Sequence, residues 1–477
     1  MDKRIVEFLK SKGVHIEQPW NADEAIKLWA NWYAGYVDGF HRYQLYQGEK
    51  RIPQERKTLK MAETVCQDWA DLLLNEKVEI SCSDDTAQER LNMALQRVNF
   101  AVQANQLLER AFAVGGGFFI EYWDGTGVNI KYVTQDRMIP ITYTSAGLIE
   151  AAFTSKQVVD GQEYEYLETH TLNDRGEYVV DNFLLREKNG SLAEMPAAFL
   201  QLHNVAAKVE THSGTPRFQS VRPNKANKYA SDSPFGVSVF SGAIDVLKAI
   251  DNEYDSLDNE FTLGRKRIFV TDGVANIHVN EDGTTSPAFD PLDTAFYRMP
   301  EQNDEDGAPI VESNMQLRIA EHEQALQTQL NILGQKCGFG ENHYRWQQGT
   351  VTTATQVISE NSKMFRTLKK HELLLRKSIV DMARSLMEIE YAYVDGTELP
   401  PNITFTVDFD DSIIEDTAEK KRMALTDYNA ELISAQEYYR QVYSLDDQQA
   451  QAFAKQMQEE RNAEQSWKNV EDEPPME

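Results

Sequence analysis

Cysteine is scarce in this sequence: Cys66, Cys82 and Cys337 are the three among 477 residues. An odd count without metal-ligand spacing argues against a disulfide framework and against a cysteine-based zinc site. Bases are also in deficit, with 48 Lys and Arg against 76 Asp and Glu, a formal net charge of −28. A tight general binder of nucleic acid needs clustered bases, so this balance argues against one. It leaves room for a protein past which DNA slides without sticking. No apolar run reaches the length of a membrane span, and Met1-Asp2-Lys3-Arg4-Ile5 lacks the apolar core of a signal peptide. The expected compartment is cytoplasm-like.

Catalytic signatures are missing as well. There is no His-Glu-x-x-His, no Gly-x-Ser-x-Gly and no dinucleotide fingerprint. Gly115-Gly116-Gly117 is followed by a strand pattern and not by Gly-Lys-Ser/Thr, so it does not read as a phosphate loop. Asp408, Asp410 and Asp411 are hard oxygen donors suited to Mg²⁺ or Ca²⁺. A strand end followed by helix caps accounts for them as well and is the preferred reading. His203, His212, His322, His343 and His371 are scattered, with His322 and His371 expected on helix surfaces. No catalytic residue, metal or cofactor is expected.

What is present reads as a folded α+β chain, mainly helical, of more than one substructure. Helices are expected over 25–46, 54–76 and 85–113, with Asp84 or Asp85 as N-cap of the third. Their aromatic stripes, Trp29, Trp32, Tyr33, Tyr36 and Phe40 among them, read as core packing. From 115 to 187 the period becomes two, and six segments (118–123, 128–133, 138–143, 147–155, 163–172 and 177–185) form an antiparallel meander. Residues 196–234 read as a connector.

The most informative stretch is 238–263. Phe240, Ala243, Leu247, Ile250, Tyr254, Leu257 and Phe261 fall on one helical stripe, with Asp245, Asp251, Glu253, Asp255, Asp258 and Glu260 on the other faces. This predicts a helix about 39 Å long whose stripe needs a partner. An acidic excursion with short strands follows, then a return helix at 316–337 with Ile319, Leu326, Leu330, Leu333 and Cys337 aligned. Next comes a Gly-bounded aromatic loop, Gly338 to Gly349, and a capping box at Thr353 to Gln356. The helix it opens runs to about Tyr393, roughly 60 Å, with Met364, Leu368, Leu375, Ile379, Met382, Leu386 and Ile389 on its apolar face. Lys363, Arg366, Lys370 and Lys377 share another face. A strand at 403–409, short helices at 417–435, 435–443 and 446–464, and an acidic tail complete the chain.

The order of these parts resembles the portal proteins of tailed bacteriophages, of the type found in siphophages of Gram-positive hosts. The stretches that carry the likeness are Met61 to Leu73, Pro234 to Ser238, Leu247 to Phe261, Arg265 to Val270, Thr353 to Ser362, and Phe405 to Ser412. The resemblance implies a wing (1–237, rejoined by 395–411), a stem (238–263 and 315–337), a clip (264–314), a tunnel loop (338–352), a long helix (353–394), a crown (412–465) and an acidic tail (466–477). It further implies a ring of about twelve copies at one capsid vertex, through which double-stranded DNA is packaged and ejected. Terminase large subunit, head–tail adaptor, major capsid and scaffolding proteins are the implied partners, with no membrane, in the virion and in the host cytoplasm during assembly.

On that basis Asn342, His343, Tyr344, Arg345, Trp346, Gln347 and Gln348 would line the DNA channel. Phe240, Leu247, Ile250, Tyr254, Leu257 and Phe261 would meet the neighbouring subunit. Asp245, Asp251, Asp255 and Asp258 would divide between channel wall and subunit seam. Arg265, Lys266 and Arg267, with the basic stripe of the long helix, would pair with a neighbour's stem acids and make the ring salt-labile. The competing reading is an acidic oligomeric scaffold without a DNA channel. A Mg²⁺-dependent nuclease built on Asp408, Asp410 and Asp411 ranks behind both.

Overall fold

The computed structural model describes residues 2–16, 22–47, 50–75, 78–145, 147–159, 161–202, 205–231, 233–264, 267–271, 276–279, 285–287, 296–299, 310–313, 316–345, 354–409, 417–430, 432–443, 445 and 449–457. It divides into two compact units, Met1–Asp408 and Phe409–Glu477.

The first unit is α+β. Its helices are α1 (Lys3–Ser11), α2 (Asp23–Tyr33), α3 (Met61–Leu73), α4 (Asp85–Arg97), α5 (Phe100–Val114), α6 (Ala197–Leu202), α7 (Ile244–Leu263), α8 (Ile319–Cys337) and α9 (Ala354–Glu390). The period-two segments form strands close to where alternation places them. They belong to two sheets, however. Met138–Thr144, Gly147–Val159, Gln162–Leu172 and Tyr178–Lys188 make a sequential antiparallel sheet, with Ser191–Glu194 and Lys208–Glu210 both paired to its last long strand. Gly117–Trp123 instead sits between Val128–Thr134 and Phe218–Val221. The stretch 196–234 is therefore not mere connector, because it supplies a strand to each sheet and the helix α6.

Each sheet face is covered by what its pattern demands. Ile5, Phe8 and Leu9 of α1 pack on Ile139, Ile141, Ala152, Leu167 and Leu185. Leu200 of α6 packs with Tyr164, Tyr166 and Leu184. The three-stranded sheet lies against α9, and its central strand has buried residues on both faces, as the unbroken Phe118-Phe119-Ile120 run requires. Ala87 and Leu91 of α4 meet Ala383 and Met387 of α9 beside Ile403 and Phe405. Phe405–Asp408 pairs antiparallel with Glu79–Cys82, a strand too short for periodicity to reveal. The glycine run at 115–117 is a packing device. Gly115 ends α5 at φ +103, and a Cβ there would stand 2.7 Å from the carbonyl oxygen of Gly236. A Cβ on Gly236 would in turn collide with the carbonyl of Gly115.

Four helix expectations are corrected. The helix expected over 25–46 stops at Tyr33, since Gly35 and Gly39 take φ +79 and +78 and Arg42–Gln47 turns into a hairpin with Lys50–Glu55. That hairpin also shortens the next helix, which begins at Met61. The helix expected over 85–113 breaks at Asn99, which is left-handed at φ 48, giving α4 and α5. Asp84 is the N-cap of α4, its carboxylate accepting from Ala87 N at 2.8 Å. The stripe-bearing helix α7 starts at Ile244, not 238: Ser241 N donates to Ser238 O and Ala243 N to Phe240 O, a tight turn that buries Phe240 before the helix begins.

The excursion holds Arg267–Thr271 between Phe296–Met299 (parallel) and Ile310–Ser313 (antiparallel), plus a short Asn276–Val279/Thr285–Pro287 pair. The capping box lies partly outside the described residues. The second unit contains α10 (Thr417–Asn429) and α11 (Ala435–Tyr443). They are joined where Tyr428 stacks on Tyr438 at 5.0 Å, and Tyr439 meets Phe453 at 5.0 Å. Residues 449–457 are helical within the third expected segment.

Candidate functional site

The helices α7 and α8 form an antiparallel pair fastened at both ends. Where α8 starts, Arg318 grips the carboxylate of Glu260 at 3.0 and 3.2 Å through two guanidinium nitrogens, and its backbone N donates to the same group. Those Arg318 bonds hold the Glu260 carboxyl at about 2, below its usual range. Where α8 ends, Lys336 Nζ reaches Gly242 O at 3.4 Å. Between them His322 bonds Glu253 at 2.6 Å and stands 3.7 Å from Glu260. It faces α7 across the pair, not the solvent-facing surface expected.

The acids of α7 face their own chain. Val37 N donates to His41 Nδ1 at 2.8 Å, so the His41 hydrogen lies on Nε2, directed at Asp251 Oδ2, 3.1 Å away. Asp251 also accepts from Leu59 N at 3.0 Å, and burial raises its carboxyl above the ordinary value. Asp255 accepts from Tyr43 Oη at 2.9 Å and Lys57 N at 3.1 Å, while Lys57 Nζ pairs with Asp258 at 2.9 Å. At spacings of four and three, these carboxylates lie along one helix face. They form a rail on which the segment 41–59 is seated. Asp245, with its side chain 96% exposed and Lys248 at 3.4 Å, stands apart. The expectation that all four acids face a channel or a seam is thus corrected for Asp251, which is buried, while Asp255 and Asp258 are bonded within the chain and remain partly exposed.

The apolar stripe divides similarly. Phe240, Leu247 and Ile250 are buried within the chain, which corrects their assignment to a subunit contact. Burial of each contributes about 1.5–3 kcal/mol to this fold, and a neighbour cannot collect that stabilisation again. Tyr254 and Leu257 are half-buried, and Phe261 is 48% exposed.

The loop after α8 is anchored on α3. Gly338 ends α8 at φ 98, and Phe339 stacks on Trp69 at 4.4 Å and on His343 at 4.3 Å, a pile of three rings. Trp69 Nε1 donates to Cys337 O at 3.1 Å, His343 Nε2 lies 3.3 Å from Asp68, and Gln327 Nε2 donates to Tyr344 O at 2.8 Å. Burial, with Asp68 nearby, pushes the Tyr344 phenol well up. Tyr344 therefore packs back on the chain, contrary to the expectation that it lines a channel, while His343 stacks on Phe339 and stays exposed. Asn342 is half-buried and Arg345 exposed, while Trp346, Gln347 and Gln348 lie outside the described residues.

On α9 the apolar face is buried from Leu368 to Ile389, as expected. Lys363 Nζ donates to Gln335 O at 2.9 Å, and Lys377 pairs with Asp381 on its own helix. His371 is buried, not on the surface. It lies 5.0 Å from Trp69 and 5.1 Å from Phe112, accepts from Asn224 N at 2.9 Å, and is pushed down to about 3 by burial.

Sequence reading missed a buried joint between α9 and the three-stranded sheet. There Arg217 meets Glu388 at 3.2 Å and Ser385 O at 2.8 Å, and Ser385 Oγ donates to Glu121 at 2.9 Å. Burial pushes the Glu121 carboxyl up to about 8. The only local hint was a charge within the apolar run 118–123. Asp408 is exposed on its strand, and Asp410 and Asp411 are outside the described residues. Among the described residues no group of three His, Cys, Asp or Glu is placed to hold a metal, and no helix is long and apolar enough to cross a membrane.

A chain of the solved virion of a native gene transfer agent (GTA) particle is similar over 93% of this chain and 98% of its own, at 12% identity and a TM-score of 0.44. No curated protein matches. The family model described as phage portal protein, SPP1 Gp6-like, matches residues 19–466. The chain therefore belongs to the SPP1 Gp6-like phage portal proteins, structural components of the virion at a capsid vertex.

Proposed function

We propose that this portal chain works as one subunit of a closed ring of about twelve copies, through which double-stranded DNA enters and leaves the capsid. It is a structural protein and not an enzyme. The host class is that of siphophages of Gram-positive bacteria, and the ring assembles in the host cytoplasm. In this reading residues 1–237, with 395–411, are the wing. The pair 238–263 and 315–337 is the stem, 264–314 the clip, 338–352 the tunnel loop and 353–394 the long helix. Residues 412–465 are the crown and 466–477 the acidic tail. The clip docks terminase large subunit and then the head–tail adaptor, while the wing meets major capsid and scaffolding proteins.

The observation that carries this reading is the α7–α8 pair, antiparallel, locked by Arg318–Glu260, and bracketing the excursion between them. Its seam residues reduce to Tyr254, Leu257 and Phe261, which the chain itself leaves partly uncovered. A head-to-tail contact repeated around a closing rotation covers that half-stripe in every copy. The tunnel-loop function falls to Arg345, Trp346, Gln347 and Gln348, with Asn342 shaping the turn at φ 63.

Native mass measurement and negative-stain imaging of the purified chain test the reading. The expected result is a wide-rimmed ring with a central hole, and Phe261→Ser shifts it towards monomer without loss of helical content. Particles lacking a hole would favour the acidic scaffold instead. Wild-type chain that stays monomeric at the concentrations of assembly would overturn the ring.

A further inference from the structure

Against a net charge of −28, one region of the fold collects lysines with no carboxylate to answer them. The sequence 211–231 contains Arg217, Arg222, Lys225 and Lys228 and not one Asp or Glu. The fold lays this stretch on the basic part of α9, where Asn224 donates from Nδ2 to Lys370 O at 2.7 Å and from its backbone N to His371 at 2.9 Å. The end of α8 and the turn before α7 adjoin the same place. Lys225 Nζ donates to Val239 O at 2.7 Å, Lys336 Nζ to Gly242 O at 3.4 Å, and Lys363 Nζ to Gln335 O at 2.9 Å. These lysines are thus tethered to main-chain carbonyls, each by one of its three N–H donors.

Lys228, Lys336, Lys363 and Lys370 are exposed and Lys225 half-buried, and none forms an ion pair with a carboxylate among the described residues. They lie close enough together that the charges of Lys228, Lys370 and Lys336 join burial in depressing the Lys225 ammonium. A cluster of like charges is costly to hold together without an anion. Among the acids of α7 and the start of α8, Asp251, Asp255, Asp258, Glu253 and Glu260 are each bonded within their own chain, and Asp245, paired with Lys248, and Glu321 are exposed. That also removes most of the acids a neighbouring copy's helix pair would bring.

We propose that Lys225, Lys228, Lys336, Lys363 and Lys370 form a binding site for the phosphodiester backbone of nucleic acid, read without regard to sequence. Lysine suits this ligand because a point charge on a flexible stem follows successive phosphates and asks for no fixed geometry. The site rests on the DNA-passage reading above and gives it a contact surface. Outside the island the acidic surface repels the same backbone, so binding is local and short-ranged in physiological salt.

The test uses the full-length chain and a fluorescent random-sequence duplex in an anisotropy titration across salt concentrations. Wild type is expected to bind at low salt and to weaken steeply as salt rises. The exposed-site variant Lys228→Gln/Lys336→Gln/Lys370→Gln is expected to bind at least tenfold more weakly at low salt. Its slope of log K against log salt should flatten by about three units. Adding Lys225→Gln weakens binding further, while the exposed-site variant alone keeps the test valid if that fourth change disturbs folding. A triple variant within twofold of wild type overturns the proposal. So does a triple variant that loses self-association but keeps duplex binding, which would make the island a contact between copies. A wild-type chain that forms rings with a hole but never binds the duplex sinks this inference and leaves the channel reading standing.

Discussion

Glu121 shows how much a single residue's surroundings decide. Its carboxyl is buried between a strand and α9, and Ser385 donates to one oxygen while the other is without a hydrogen-bond partner. With the folded-state value near 8 and an ordinary value of 4.5, the folded chain holds a proton that the unfolded chain releases. Stability from this group is full below about pH 4.5 and declines as pH rises towards 8. Glu121→Gln keeps the shape and removes the titration. The expected result is a melting temperature a few degrees above wild type at pH 8.5 and little changed at pH 5, of the size about 1 kcal/mol produces in a large domain. Equal melting temperatures at both pH values would mean that Glu121 is ionised in the fold. His371 and His170, lowered by burial to about 3 and about 4, set the opposite limb. Each contributes stability that is full above about pH 6.5 and falls as acid charges it.

At the scale of elements, the acid rail of α7 is a fastening for the hairpin Arg42–Gln47/Lys50–Glu55. Two strands alone are marginal in water, so the hairpin's position depends on its footing. Asp251→Ala removes the acceptor for His41 and Leu59 and leaves their N–H groups without it inside the protein, costing on the order of 2–4 kcal/mol. Limited proteolysis should then cut between 42 and 57 faster than in wild type, while Asp245→Ala, at an exposed acid, leaves the rate unchanged. Equal cleavage rates for wild type and Asp251→Ala would show that other contacts seat the hairpin.

The same elements show what sequence makes legible. Strands were placed within a few residues because alternation is a local signal and Asn-Gly or Asp-Gly turns punctuate it. Long helices were legible where one face stays apolar, as on α9. Apolar periodicity overruns the helix ends at Gly35, Gly39 and Asn99, since it registers side chains and not backbone dihedrals. Which side of α7 looks inward could not be read at all. The partners of Asp251 and Asp255 lie some two hundred residues earlier in the chain. The likeness of Met61 to Leu73 to portal proteins was visible, but not that Trp69 within it holds the tunnel-loop candidates in place.

For the whole molecule, the fate of the α7 acids changes how assembly should respond to salt. A seam made of a neighbour's stem acids and the α9 lysines would weaken as salt rises. With those acids bonded within their own chain, the seam of the proposed ring falls to Tyr254, Leu257 and Phe261, and the long-range term is repulsion between subunits of charge −28. Ring yield should therefore rise between about 20 and 200 mM salt, a range in which screening shortens severalfold. Sedimentation of one preparation at both concentrations decides it, and rings that dissociate on adding salt would restore the ionic seam. Duplex binding by the lysine island should move the opposite way under the same change.

The close approach of Gly115 and Gly236 has a consequence for heredity. Every single-nucleotide missense change in either codon introduces a Cβ where a carbonyl already stands, so neither site has a neutral neighbour in sequence space. Gly125, Gly161, Gly176 and Gly190 lie in turns with open space around them and tolerate drift limited by their backbone angles alone. As portal lineages diverge, the turn glycines are free to be exchanged for asparagine or aspartate. The pair at the sheet–helix junction can change only together with the path of the chain around it.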